Sequence, residues 1–126
     1  DLNARYQREQ SKYDKYNKVD SIATVIVASD GEKPVGCGCF KEYDQETVEI
    51  KRMFVMLDYR GRKISKQVLG ELEVWAKELG YSKAVLETGS GQPEAIGLYI
   101  KSGYERIVNY GQYKDFPNSL CFDKRL

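Results

Sequence analysis

A strand, a basic turn and a helix follow one another between residues 48 and 80, and this order sets the expected fold. Cations crowd the turn and the helix start around Gly61: Arg60, Arg62, Lys63 and Lys66. A helix start is already the positive end of the helix dipole, and its first backbone N–H groups lack internal partners. We therefore expect a negative group to bind there, and a phosphate is the simplest candidate.

The other predicted elements give a mixed α/β (α+β) sheet in a single domain that spans residues 1–126. Short connections between the first three strands imply an antiparallel meander, and the later strand–helix–strand order implies a parallel crossover. The predicted strands are residues 22–28, 35–43, 48–56, 83–88, 105–113 and 119–123, the predicted helices are residues 62–79 and 93–102, and residues 1–19 are expected to form a loose helix followed by a loop.

Apolar and glycine residues indicate how these elements pack. Gly36 and Gly38 share one face of the second strand, where another backbone or a ligand can approach closely. Both helices carry an apolar face at helical spacing. These faces comprise Ile64, Val68, Leu72, Trp75 and Leu79 in the first helix and Ala95, Ile96, Tyr99 and Ile100 in the second.

The composition excludes several classes of protein. The chain has 126 residues with 20 basic and 19 acidic side chains, so no global charge favours nucleic acid or a membrane surface. It contains no histidine, which removes the usual Ser-His-Asp and Cys-His nucleophilic sites and the commonest metal ligand. Cys37, Cys39 and Cys121 form no C-x-x-C motif, so we predict buried thiols, no metal and a reducing, cytoplasmic location.

Two motifs resemble a known family. The run M-F-V-M-L-D-Y-R-G-R-K-I-S, followed by an amphipathic helix, resembles the acetyl-CoA motif of the GNAT N-acetyltransferase superfamily. The run Q-P-E-A-I-G-L-Y-I-K-S-G-Y resembles its second signature, an Asn- or Gln-initiated helix that ends Leu-Tyr-x-x-x-Gly-aromatic. The similarity extends from residue 22 to the C-terminus. It implies a GNAT-like fold and acetyl transfer from acetyl-CoA, as co-substrate, to an amine.

The chain departs from the family pattern in two places. The pyrophosphate turn of the family is Gln/Arg-x-x-Gly-x-Gly/Ala, and here Lys63 and Ser65 stand at the two small-residue positions. We expect Lys63 to be tolerated in a helical conformation, with its ammonium group against a phosphate. The family also has a strand and helices before the meander, for which residues 1–19 are too short. The resemblance therefore implies a variable segment at residues 1–20, an acetyl-CoA-binding core at residues 48–103, and a first strand that is absent, lost or supplied by a partner.

The resemblance assigns the cofactor contacts to three places. The pyrophosphate is expected at the turn, and the pantetheine arm is expected to pair with the strand before it, provided that the following parallel strand splays away. Gln92 is expected to begin the second helix and to bond the cofactor, although capping alone also explains it. The predicted cofactor residues are Met53, Phe54, Val55, Arg60, Gly61, Arg62, Lys63, Ile64, Ser65 and Gln92.

Catalysis requires a base, because a simple ammonium has a pKa near ~10.4 and must lose a proton before it attacks. Glu49 is the first candidate, since it lies on the strand beside the expected thioester. Glu87 is the second, and Glu42 and Glu46 are weaker candidates. The alternative for Glu49 is an outward-facing carboxylate paired with Lys41 or Lys51.

Tyr99 matches the Leu-Tyr position of the second motif, where the resemblance implies a general acid for the departing thiolate. A tyrosine has a pKa near ~10, which we expect to be close enough to that of a thiol for proton transfer. The alternative is an aromatic core residue on the inner face of the second helix.

The acceptor is less defined by the sequence. Tyrosines combine an apolar ring with a polar tip, and an aromatic acceptor pocket is predicted from Tyr6, Tyr13, Tyr16, Tyr110 and Tyr113. The leading hypothesis is direct attack by a primary amine of a small molecule or peptide, in an enzyme that can form a homodimer. The alternatives are a non-catalytic acyl-CoA sensor and an interaction domain whose basic turn binds an acidic partner.

Overall fold

The computed structural model describes residues 3–5 and 24–126, which form one mixed sheet in the strand order β1-β2-β3-β4-β5-β7-β6. The sheet is antiparallel except for the β4–β5 pair, which is parallel, so the predicted meander and crossover are confirmed. The strands are β1 (Asn3–Arg5), β2 (Thr24–Asp30), β3 (Lys33–Asp44), β4 (Thr47–Val55), β5 (Lys83–Gly89), β6 (Glu105–Ile107) and β7 (Ser119–Arg125), and the helices are α1 (Ile64–Glu78) and α2 (Pro93–Lys101).

Two sequence-based expectations about strands need correction. The chain supplies a short first strand itself, because β1 pairs antiparallel with β2 in the register Asn3 to Ser29. The other residues of the expected N-terminal helix and loop lie outside the described ranges. The strand predicted for residues 105–113 ends at Ile107, since the chain turns through a short 3₁₀ segment, Gly111–Tyr113, in which Gly111 has a φ of 53°.

The core lies between the sheet and the helices. The apolar face of α1 is buried as predicted as far as Trp75, whereas Leu79 beyond its end is exposed. Burial of each large apolar side chain of this face stabilises the folded state by roughly 1.5–3 kcal/mol. On α2, Tyr99 is buried, but Ile100 is 58% exposed and does not belong to the inner face. None of the helices in the described ranges is long and apolar enough to cross a membrane.

Helix α1 packs against the face of β3 that carries Gly36 and Gly38. A Cβ atom built on Gly38 would lie 2.9 Å from Val68 Cγ1 and 3.0 Å from Leu72 Cδ1, and it would collide with the Met53 sulfur. At Gly36 it would lie 3.1 Å from Ile64 Cγ2. The close approach predicted from these glycines is therefore made by the helix. This contact sets the distance between α1 and the sheet. It thereby also positions the first turn of the helix.

The parallel strands β4 and β5 separate soon after they meet. Their pairing covers three residue pairs, from Thr47 with Lys83 to Glu49 with Val85. Beyond that point β5 continues to pair with β7 up to Gly89, while β4 continues to Val55 without pairing with β5. A bulge at Arg52, which has a φ of 55°, bends β4 in the same stretch. The splay required for a ligand to pair with β4 is present.

Candidate active site

A groove of about 560 Å³ is bounded by the end of β4, the turn that follows it, the start of α1 and one side of α2. Nine of the ten predicted cofactor residues line it, and so does Tyr99. Arg62 and Glu49 do not. The lining comprises Met53, Phe54, Val55, Tyr59, Arg60, Gly61, Lys63, Ile64, Ser65, Lys66, Gln92, Glu94, Ala95, Leu98, Tyr99, Lys101 and Ser102.

The first turn of α1 presents backbone amides to this groove. The first i to i+4 bond of the helix runs from the Gln67 amide to the Lys63 carbonyl at 3.1 Å. The amides of Ile64, Ser65 and Lys66 come before it and have no acceptor within the helix. No side-chain cap from Lys63 covers them. Such a cluster of free donors at the positive end of a helix suits a phosphate.

Lys63 differs from its predicted helical conformation. It precedes α1 in the left-handed region, with φ 64° and ψ 19°, where glycine is favoured. This geometry explains why a glycine suits the position. The left-handed conformation costs an ordinary residue roughly 1–2 kcal/mol, so Lys63 adopts it against its intrinsic preference.

Replacing Lys63 separates its charge from its backbone strain. Lys63→Gly and Lys63→Ala both remove the ammonium group, but only glycine relieves the left-handed conformation. We expect the glycine variant to exceed the alanine variant in free energy of unfolding by about 1 kcal/mol. Urea denaturation of both variants measures this difference. Equal stabilities would show that Lys63 is not strained in this conformation.

Cations dominate the groove, which has one acidic lining residue, Glu94. Its basic lining residues are Arg60, Lys63, Lys66 and Lys101. Lys101 was not predicted, because nothing in its local sequence indicates that the last turn of α2 reaches the start of α1. The resulting positive field favours a ligand that carries several phosphate charges.

The two arginines of the turn have different surroundings. Arg60 Nε donates to the Val55 carbonyl oxygen at 3.0 Å, and its guanidinium lies 6.0 Å from the Phe54 ring centre. The end of β4 thus holds Arg60 beside the groove, with its terminal nitrogens free of this bond. Arg62 instead lies 4.9 Å from the ring centre of Tyr59. The structure therefore does not bring the Arg62 side chain into the predicted cofactor site.

Tyr99 on α2 is buried and also lines the groove. Its ring packs against Tyr104 and Phe122, with ring centres 5.9 and 6.3 Å apart. Burial, with a smaller contribution from the charge on Glu87, raises the pKa of Tyr99 to about 12. The side chain is thus both packed in the core and in contact with the groove. Gln92 precedes α2 as predicted and lines the groove, but its side chain makes no capping bond.

Glu49 is buried, with 4% of its surface exposed, and it is the last residue of β4 that pairs with β5. Tyr110 donates its hydroxyl proton to Glu49 Oε2 at 2.8 Å, and Lys51 Nζ lies 3.9 Å from Glu49 Oε1. The carboxylate is therefore buried and not outward-facing, although the ion pair with Lys51 that this alternative included is present. Lys41 is its register partner on β3, and no ion pair between the two is found among the described residues.

Tyrosines surround this carboxylate. The Tyr110 ring lies edge-on to Tyr43 and Tyr113, with ring centres 5.2 and 5.5 Å apart. Burial and the hydrogen bond to Glu49 raise the pKa of Tyr110, and burial raises that of Tyr113. Two of the predicted acceptor-pocket tyrosines thus lie together beside Glu49. Tyr6, Tyr13 and Tyr16 lie outside the described residues.

The weaker base candidates occupy different places. Glu42 accepts a 2.6 Å hydrogen bond from the Tyr81 hydroxyl. Glu46 lies in the turn between β3 and β4, away from the groove lining. Glu87 follows the last β4–β5 pair by two residues on β5, and its charge contributes to the raised pKa values of Tyr99 and Tyr113. Glu87 is therefore the nearest structural competitor of Glu49.

Cys39 and Cys121 are buried as predicted, whereas Cys37 is half-buried. Cys39 is buried and donates to the Lys51 carbonyl at 3.2 Å, and burial raises its pKa to about 11. A thiol with a raised pKa is a poor nucleophile, which agrees with the predicted structural role. Within the described ranges, no group of three or more His, Cys, Asp or Glu side chains is placed to hold a metal ion.

Comparison with known proteins identifies the family. The model of the Acetyltransferase (GNAT) family matches residues 2–104, and the chain belongs to this family. An IAA acetyltransferase of Azospirillum brasilense is 36% identical over 80% of this chain and 67% of its own length. The uncharacterized N-acetyltransferase YsnE of Bacillus subtilis is 34% identical over 79% of this chain and 67% of its own length.

A solved structure shares the fold of this chain. The GNAT family acetyltransferase of Elizabethkingia anophelis, crystallised with acetyl-CoA bound, superposes with a TM-score of 0.74 at 19% identity. The superposition covers 100% of this chain and 97% of that one. The predicted GNAT fold is thereby confirmed.

Proposed function

We propose that this chain transfers an acetyl group from acetyl-CoA to a primary amine of a small molecule or peptide by direct attack. The observation that carries the proposal is a cation-lined groove that brings together the part of β4 not paired with β5, the first-turn amides of α1 and Tyr99. The Elizabethkingia enzyme of the same fold binds acetyl-CoA, and the YsnE relative is named as an N-acetyltransferase.

The residues of the groove fit acetyl-CoA. The amides of Ile64, Ser65 and Lys66, with the cations around them, suit the diphosphate. The free edge of β4 from Met53 to Val55 offers backbone groups to the amides of the pantetheine arm. Arg60 already donates to the last carbonyl of that edge, so we expect it to define where the arm ends and the diphosphate begins.

Acetyl-CoA supplies the acetyl group as an activated thioester, and the chain supplies proton handling on both sides of it. Glu49 is the proposed base: its carboxylate accepts a proton from the acceptor amine, whose pKa near ~10.4 would otherwise leave it charged at neutral pH. Burial removes Glu49 from competing solvent, and it lies at the last β4–β5 pair, four residues before Met53, where β4 begins to line the groove.

Tyr99 acts as a hydrogen-bond donor to the sulfur that leaves. A phenol with a pKa of about 12 holds its proton more tightly than a thiol with a pKa near ~8.5, so complete transfer is uphill. This corrects the expectation of closely matched pKa values. A hydrogen bond from the hydroxyl still stabilises the negative charge as it develops on sulfur.

The proposal is tested by two measurements in sequence. Calorimetry with acetyl-CoA is expected to show 1:1 binding, and a thiol-release assay over a panel of primary amines is expected to show turnover. Absence of binding at high micromolar acetyl-CoA would overturn the proposal. Tight binding without turnover of any amine in the panel would favour the acyl-CoA sensor instead.

Tyr99→Phe isolates the role of the hydroxyl, because the ring and its packing against Tyr104 and Phe122 are kept. A hydrogen bond to a charged group contributes about 1.5–3 kcal/mol, so we expect kcat to fall by roughly 10- to 100-fold. The Kd of acetyl-CoA should change less than about twofold, since the hydroxyl acts mainly on the developing charge. Steady-state kinetics and calorimetry measure both quantities, and an unchanged kcat would return Tyr99 to a purely structural role.

A further inference from the structure

The hydrogen bond between Tyr110 and Glu49 distinguishes the two oxygens of the carboxylate. Oε2 accepts the Tyr110 hydroxyl at 2.8 Å, whereas Oε1 has Lys51 Nζ as a neighbour at 3.9 Å, beyond hydrogen-bond distance. Among residues 3–5 and 24–126, only Oε2 is therefore engaged by a short hydrogen bond. Oε1 retains the capacity to accept a proton.

Tyr110 is itself held in place by its surroundings. Tyr43 and Tyr113 contact its ring edge-on from two sides, and the Tyr113 amide donates to the Tyr110 carbonyl at 2.9 Å. Burial raises the pKa of Cys121 on β7, and the backbone of Tyr110 lies close enough to oppose this effect. The hydroxyl that reaches Glu49 is thus fixed by β3, by β7 and by its own turn.

We propose that Tyr110 is a positioning residue for the catalytic base: it holds Oε2 of Glu49 and leaves Oε1 to accept the proton of the acceptor amine. This inference rests on the proposed function and deepens it. A buried carboxylate that loses a hydrogen-bond donor becomes costly in its charged form. Without Tyr110, the carboxylate is free to turn towards Lys51, which would compete with the amine for its oxygens.

Tyr110→Phe tests the proposal, because it keeps the ring and removes only the hydroxyl. We expect kcat/KM for the amine to fall about tenfold, mainly through kcat, with an unchanged Kd for acetyl-CoA. Tyr81→Phe is the matched control, since it removes the 2.6 Å tyrosine–glutamate bond to Glu42 and should leave kcat and KM unchanged.

A double-mutant cycle separates positioning from a general loss of packing. If Tyr110 acts through Glu49, adding Tyr110→Phe to Glu49→Gln should cost almost no further activity. Equal losses in both backgrounds, or an unchanged kcat in Tyr110→Phe, would overturn the inference. An absence of turnover in the parent chain would instead count against the proposed function, and the two failures are thereby distinguished.

Discussion

Glu49→Gln is expected to lower kcat/KM for the amine acceptor by about 10²- to 10⁴-fold at neutral pH, the range usual for loss of a general base. Glutamine keeps the size of the side chain, and its amide oxygen can still accept the Tyr110 hydroxyl. The fold should therefore remain intact, with an unchanged Kd for acetyl-CoA. Steady-state kinetics, calorimetry and thermal denaturation measure the three quantities.

The pH dependence of the Glu49→Gln variant gives a second readout. Without a base, the amine must lose its proton to water, and its pKa lies near ~10.4. The rate of the variant should continue to rise towards that pH, whereas the parent enzyme should level off at lower pH. A variant that keeps the pH profile of the parent would contradict proton acceptance by Glu49.

Two further glutamate-to-glutamine substitutions, matched to Glu49→Gln, test whether another carboxylate is the base. Glu42→Gln makes the same chemical change in a carboxylate that is also bonded by a tyrosine, but away from the groove, and should not affect the rate. Glu87→Gln tests the competitor on β5, whose charge acts on both Tyr99 and Tyr113. A loss larger for Glu87→Gln than for Glu49→Gln would assign the base to β5.

The sequence predicts those parts of the site that depend on neighbouring residues. The basic turn, the start of α1 and the beginning of α2 each have a local signal: a glycine turn, an apolar face at helical spacing, and Pro93 after Gln92. Most predicted cofactor residues belong to these segments, and they line the groove. The conformation of Lys63 is the local exception, because its sequence contains no glycine to indicate a positive φ.

The remaining features depend on contacts between distant residues. The separation of β4 from β5 follows from the bulge at Arg52 and from the pairing of β5 with β7, which no short segment encodes. Tyr110 and Glu49 are 61 residues apart, so their hydrogen bond leaves no pattern in the sequence. Tyr43 was missed for the same reason, since its partner Tyr110 comes from another part of the chain.

Gly38→Val is expected to lower the free energy of unfolding by about 3 kcal/mol, the upper part of the range usual for overpacking a core. The first added carbon would already lie 2.9 Å from Val68 Cγ1 and 3.0 Å from Leu72 Cδ1, and the Met53 sulfur is closer still. Met53 can move, but the branched Val68 is stiff, so the strain falls on α1. Urea denaturation gives the loss, and the melting temperature should fall by roughly 10 °C.

A second glycine, within α1, provides a control of opposite sign. A Cβ atom at Gly70 meets nothing within 4 Å, and glycine inside a helix is less favourable than alanine by about 1 kcal/mol. Gly70→Ala should therefore stabilise the chain by about that amount. If both variants lower the stability, any change around α1 is harmful, and the space argument at Gly38 is wrong.

Gly38→Val should also weaken acetyl-CoA binding, although Gly38 does not line the groove. The helix that rests on Gly38 carries the free amides of Ile64, Ser65 and Lys66 in its first turn. A helix displaced from β3 would move those donors relative to the edge of β4, and the diphosphate and the pantetheine arm could no longer be bound together in their best geometry. Calorimetry on the folded variant measures the Kd of acetyl-CoA and so tests whether the packing at Gly38 affects binding. A lower stability with an unchanged Kd would show that α1 shifts at another point and keeps its first turn in place.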